Sequence, residues 1–122
     1  MKLWKEELRY TDNVKNDAYY IAKAINDINS IQKYISNNSY DEFINDEELV
    51  DAVMFRLIQL VENIKHLSGD VIQNNPHIEW GNLIGFRNGI VHEYGATDYN
   101  IVYETITCDL EPLKEALEKY IK

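Results

Sequence analysis

Apolar residues recur in this chain in steps of three and four over four separate stretches, and that period decides the fold class before any single residue does. The first stretch runs through Val14, Ala18, Ile21, Ala22, Ile25, Ile28, Ile31 and Ile35, which lie along one helix face. Asp12 or Asn13 is positioned to cap it, Ser36-Asn37-Asn38-Ser39 breaks it, and the residues before 12 are expected to form a short arm. The second begins at Asp46-Glu47-Glu48, acids suited to the positive end of a helix dipole, and carries Leu49, Val53, Leu57, Leu60, Val61, Ile64 and Leu67 towards a stop at Ser68-Gly69. A helical turn over Asp70 to Gln73 then meets Asn74-Asn75-Pro76, where proline disfavours helix in the preceding residue. The third helix is expected from Ile78–Trp80 through Leu83, Ile84, Phe86, Ile90 and Val91, with Gly95 as a left-handed C-terminal residue. Asp98 can cap a fourth, with Ile101, Val102, Ile106, Leu110, Leu113, Leu117 and Ile121 inward and a kink or restart near Asp109 imposed by Pro112. No stretch alternates apolar and polar residues as a strand would. The expected fold is therefore all-α, an up-and-down four-helix bundle with a short N-terminal arm.

A chain of 122 residues holds one core, and no linker divides it, so residues 1–122 are read as a single domain. The 45% hydrophobic and 27% charged content belongs to a chain that folds in water. Apolar runs are too short to span a membrane, and Met1 to Glu7 lacks the apolar stretch of a signal peptide, so a cytoplasmic location is expected. The single cysteine, Cys108, has no internal partner and is expected to be a buried small apolar side chain. A net charge of −9 argues against unspecific binding to nucleic acid. A local basic patch remains open to it, with Arg56, Arg87 and Lys65 as candidates.

Chemistry is concentrated in Gly85-Phe86-Arg87-Asn88-Gly89-Ile90-Val91-His92-Glu93-Tyr94. These side chains suit RNA cleavage without a metal. The attacking group is then the RNA's own 2′-hydroxyl, which needs a base, an acid for the departing 5′-oxygen and a cation for the phosphate. His92 can serve as base or acid, and Arg87 can hold two phosphate oxygens at once. Five helical positions place Arg87 and His92 roughly 140° apart. Either the helix loosens near Gly89 and its C-terminus, or the two side chains flank a cleft that a second subunit completes; the second is preferred, because a two-fold dimer supplies the second histidine. Taken alone, a histidine in a helix is a surface or capping residue, Arg87 can simply pair with Glu93 or another carboxylate, and Tyr94 is one of nine tyrosines.

The stretch from Trp80 to Gly95, continued by Asp98 and by Ile101-Val102-Tyr103-Glu104-Thr105-Ile106, resembles the signature region of HepT-like proteins of the HEPN superfamily. That pattern, arginine, four residues, histidine, one residue, tyrosine, is met by Arg87, His92 and Tyr94, with Asn88 as the family has it. Asp12 to Asp17 and Val50 to Arg56 resemble the family's first two helices. The resemblance implies a helical homodimer acting as a metal-independent endoribonuclease, the toxin of a type VII HEPN/MNT toxin–antitoxin system. Arg87 and His92 would be catalytic and Asn88 would position the substrate. Tyr94 would receive AMP from a minimal nucleotidyltransferase antitoxin, whose added negative charge and bulk would obstruct RNA. HEPN relatives also include non-catalytic subunits that only bind the nucleotidyltransferase, and this is the alternative.

The other motifs carry less. His66 and His77 flank a loop without zinc-ligand spacing and are read as structural or surface residues. Asp41, Glu42, Asp46, Glu47, Glu48 and Asp51 fit helix starts and a solvated face. With no Gly-rich phosphate loop and no metal cluster, no cofactor is expected, and any AMP would come from the partner.

Overall fold

The computed structural model describes residues 17–121. Helix α1 (Asp17–Ile35) is followed by the short α2 (Tyr40–Ile44), the long α3 (Glu47–Ile64) and the short α4 (Gly69–Gln73). Helix α5 (Trp80–His92) runs into a single 3-10 turn, Tyr94–Ala96. The final helix is built as α6 (Tyr99–Glu104), a wide π turn (Thr105–Asp109) and α7 (Leu110–Glu118). There is no strand among the described residues. The four long elements pack as the expected bundle, with α3 against α1 and α5, and α7 on α1. The N-terminal arm, Val14 and the Asp12 or Asn13 cap lie outside the described residues.

The core takes Ile21, Ala24, Ile28 and Ile31 from α1, and Val53, Met54, Leu57, Leu60 and Ile64 from α3. Trp80, Leu83 and Ile90 come from α5, and Val102, Ile106, Leu110, Leu113 and Leu117 from the last helix. Burying side chains of this size contributes about 1.5–3 kcal/mol each, which is why the apolar period predicts the helices well. The stripe on α1 is narrower than the period suggested: Ala18 and Ala22 are exposed, because Ile21, Ala24, Ile28 and Ile31 already fill the inward face.

Local chemistry sets the boundaries. Asp46 Oδ1 accepts from the Leu49 amide at 3.1 Å and starts α3, and Asp98 Oδ1 accepts from the Asn100 amide at 2.9 Å and starts α6. Helix α2, which the period did not announce, is written by a capping box: the Glu42 amide donates to Ser39 Oγ at 3.2 Å, and the Ser39 amide donates to Glu42 Oε1 at 2.8 Å. Helix α3 ends at Ile64, short of the expected Ser68-Gly69. The His66 and Leu67 amides close tighter turns onto Asn63 O and Ile64 O, which still brings Leu67 to the core. Ser68 then bonds Asp17, its amide to Oδ1 at 2.8 Å and its hydroxyl to Oδ2 at 2.6 Å.

Three further expectations are corrected. Gly95 is not a left-handed cap: no glycine among the described residues has positive φ, and the helix end is turned by Glu93 (φ −138°, ψ 48°) into the 3-10 turn. Ile101 and Ile121 are exposed, at 52% and 45%: Val102 takes the inward position beside the first, and the second lies past the end of α7. Cys108 is exposed, because Ile106 of the π turn and Leu110 at the start of α7 take the core positions and Cys108 faces outward between them. The restart expected at Pro112 is present, since regular α-helix resumes at Leu110.

Candidate functional site

Helix α5 stays regular to its end, with the Glu93 amide donating to Gly89 O at 2.9 Å, so it does not loosen at Gly89. Arg87 and His92 therefore keep the roughly 140° separation of an ideal helix. Leu83 and Ile90 point into the core, Arg87 turns towards α3, and His92 is exposed.

Arg87 is held from two sides. Its Nη2 lies 2.7 Å from Glu62 Oε1 on α3, and its Nη1 donates to Asn88 Oδ1 at 3.0 Å. Only 22% of the Arg87 side chain is accessible, against 38% for Glu62. The Glu62 contact is an ion pair rather than an aligned hydrogen bond, and Arg87 Nε is buried with no hydrogen-bond partner among the described residues. Asn88 thus orients the arginine next to it.

Tyr94, the first residue of the 3-10 turn, donates its hydroxyl proton to Asp51 Oδ1, also on α3. Partial burial of the phenol, followed by the hydrogen bond and charge of Asp51, pushes its pKa up to about 12. A negative neighbour disfavours the phenolate, so this tyrosine is neutral at physiological pH.

Asp51 and Glu62 are eleven residues apart on α3, which is three turns with only about 20° of residual rotation. They lie on one face of the helix about 16 Å apart. One α3 face thereby grips the motif at both ends. Neither carboxylate was singled out for this by the sequence: Asp51 was assigned to a solvated face, and Glu62 went unread. The available signal was the spacing of eleven, which puts both carboxylates on one face of the helix.

Of the proposed basic patch, Lys65 and Arg87 meet at Glu62, with Lys65 Nζ at 3.8 Å. Arg56 does not join them. It pairs with Asp27 of α1 at 2.9 Å on the other flank of α3, where buried Asn63 also donates to Asp27 at 2.8 Å. His66 is exposed and stacks on Tyr20 with ring centres 4.4 Å apart, and His77 lies exposed in the loop before α5. Among the described residues no group of three or more potential metal ligands clusters, and no helix is long and apolar enough to cross a membrane.

The profile of a family described as ribonuclease HepT-like matches residues 21–120. Two proteins of Methanocaldococcus jannaschii that carry provisional RNase names are similar along almost their whole length. One is 33% identical over 110 residues, covering 90% of this chain and 88% of the relative. The other is 32% identical over 110 residues, covering 90% and 92%. A protein of Thermococcus cleftensis, provisionally named ribonuclease HepT, is 24% identical over 103 residues, covering 84% of this chain and 94% of its own. No solved structure gives a significant match.

Proposed function

The chain belongs to the ribonuclease HepT-like family, and from that premise we propose that it is a metal-independent endoribonuclease that cleaves RNA as a homodimer. The observation that carries this reading is the state of Arg87: a guanidinium held by Glu62 and Asn88 and still partly open to solvent, where a phosphate can reach it.

In the proposed reaction His92 of one protomer takes the proton of the RNA 2′-hydroxyl. The freed oxygen attacks the adjacent phosphorus, and the 5′-oxygen leaves with a proton from the partner's His92. The products are a 2′,3′-cyclic phosphate and a 5′-hydroxyl. Arg87 neutralises the charge that gathers on the non-bridging oxygens. A second chain is needed because one protomer presents a single motif histidine, set roughly 140° around α5 from its own Arg87.

The physiological role proposed is that of a toxin in a type VII HEPN/MNT pair, acting in the cytoplasm. Its antitoxin, an MNT-type nucleotidyltransferase, would transfer AMP to Tyr94. The phenol oxygen would attack the α-phosphorus of ATP, pyrophosphate would leave, and Asp51, which already accepts the phenol's hydrogen bond, is placed to take the proton. The product would carry a phosphodiester beside His92 and end the contact with Asp51.

Expression of wild type and His92→Ala alone, with growth and RNA integrity followed together, tests the reading. Growth arrest with RNA cleavage in the wild type only is expected. Intact RNA and normal growth in both would refute the nuclease and favour the non-catalytic subunit that only binds a nucleotidyltransferase.

A further inference from the structure

Phe55 is the most exposed large apolar side chain among the described residues, at 58%, and it stands on α3 between the two motif contacts. It is one turn beyond Asp51 and two turns before Glu62. Measured around α3 from Asp51, Phe55 lies at about 40°, Gln59 at about 80°, and Asn63 and Arg56 at about 120° and 140°. The helix surface thus passes continuously from the side that grips the motif to the side that meets α1. There a cleft of about 600 Å³ opens between α1 and α3, lined by Lys23, Asn26, Phe55, Arg56 and Gln59, with Asp27 at its base. Lys23 is exposed, its Nζ 5.4 Å from the centre of the Tyr19 ring, a contact that leaves its charge uncancelled. Arg56 is 30% accessible and partly neutralised by Asp27.

Charge separates this cleft from two other hollows among the described residues. One, of about 430 Å³, carries Glu79 and Asp109, and another, of about 170 Å³, carries Glu93 and Asp98; neither has a lysine or arginine in its wall. In a chain of net charge −9 the α1–α3 cleft has two cations against one carboxylate, with three side-chain amides and the rings of Tyr19 and Phe55. A flat ring beside an ammonium group is what a single strand of nucleic acid needs, a base stacking on the ring and a phosphate meeting the cation. Side-chain amides can read base edges.

We propose that Phe55, Gln59, Lys23 and Asn26 form a subsite for single-stranded RNA, across α3 from the Arg87 phosphate position. The proposal rests on the reading that RNA is the substrate, and it names where the strand goes: over α3 at Phe55 and Gln59, one nucleobase stacked on Phe55 and a phosphate on Lys23. The subsite explains how a strongly acidic protein holds a polyanion, since binding is spread over stacking as well as charge. It also implies selection for unpaired RNA, because a base in a duplex cannot present its face to Phe55.

The test uses full-length His92→Ala protein and a fluorescein-labelled single-stranded oligoadenylate of twelve nucleotides, with affinity read by anisotropy across a salt series. Phe55→Ala is expected to weaken binding about ten-fold, within the range for loss of one stacked base, and Phe55→Trp to retain it. Lys23→Ala is expected to make the salt dependence shallower by about 0.7, the slope of one single-strand phosphate contact. With His92 present, KM for the same oligonucleotide should rise with Phe55→Ala by a similar factor. Binding of Phe55→Ala within about two-fold of its parent overturns the subsite, as does a parent that binds no oligonucleotide. A change of oligomeric state on Phe55→Ala, seen by sedimentation, also overturns it and makes this face a contact between protein chains. If the wild type cleaves nothing while Phe55→Ala still costs the His92→Ala protein its affinity, the nuclease reading fails and the subsite stands.

Discussion

Replacing Glu62 by alanine separates what the Arg87 ion pair does for the fold from what it does for chemistry. Both side chains are partly solvent-accessible, 22% for Arg87 and 38% for Glu62, so their pairing contributes to stability only about 0.5–1 kcal/mol. For a domain of this size that is a melting-temperature loss of a few degrees. The consequence for cleavage is larger. Without Glu62 the guanidinium keeps only its bond to Asn88, itself exposed, and the long side chain regains its rotamers. Misplacing a transition-state group by about 1 Å costs up to about 100-fold in rate, so kcat/KM should fall roughly 10- to 100-fold, or about 1.4–2.7 kcal/mol. Glu62→Gln removes the charge on which this unaligned ion pair depends and should lose nearly as much, whereas Glu62→Asp, which keeps the charge on a shorter arm, should lose less. Initial rates on a fluorogenic RNA, beside melting curves of the same preparations, decide the matter. If Glu62→Ala cleaves as fast as wild type, or faster, the carboxylate is a competitor of the RNA phosphate and the positioning argument is wrong.

Three further outcomes follow from contacts away from Arg87. Asp27→Ala strands the buried Asn63 amide and removes the charged bond to Arg56, which together should cost about 3 kcal/mol; the urea midpoint should drop at unchanged m, and a loss below about 1 kcal/mol would show that the network is dispensable. Tyr94, with its pKa raised to about 12, stabilises the folded state fully below its ordinary value near 10, and that contribution is lost as pH climbs through about 12. Asp51→Asn should bring the Tyr94 titration only part of the way back, since burial is the larger cause; phenolate absorbance, with Tyr94→Phe as the blank, measures this, and an unmoved curve would remove Asp51 from the account.

The bundle was legible because its code is local. Stripes such as Ile21, Ala24, Ile28 and Ile31, or Leu110, Leu113 and Leu117, repeat within a few residues, and the caps Asp46 and Asp98 sit beside the amides they satisfy. The motif was legible for the same reason, since Arg87, Asn88, His92 and Tyr94 share one short stretch. Their partners were not. Asp51 meets Tyr94 across 43 positions of sequence, and a carboxylate near a helix start reads as a dipole partner until the neighbouring helix is in place. Helix α2 was readable from the Ser39 and Glu42 box but lay hidden in what looked like a polar break. Cys108 was misread because its composition says buried and the local helix geometry says otherwise.

The π turn at Thr105–Asp109 has a consequence for which changes of chain length this fold can absorb. A single π turn amounts to one residue inserted into an α-helix, so deleting one residue there should close the turn and leave Leu110, Leu113 and Leu117 where they are. The same deletion within Trp80–His92 would rotate everything after it by about 100° and turn Ile90 out of the core. Yet the turn is not spare length. Pro112 lacks an amide and its ring collides with the carbonyl four residues earlier in a regular helix, which here belongs to Cys108 inside the wide turn. The slack and the proline are therefore one trait: a homologous chain shortened at this point should also have replaced Pro112.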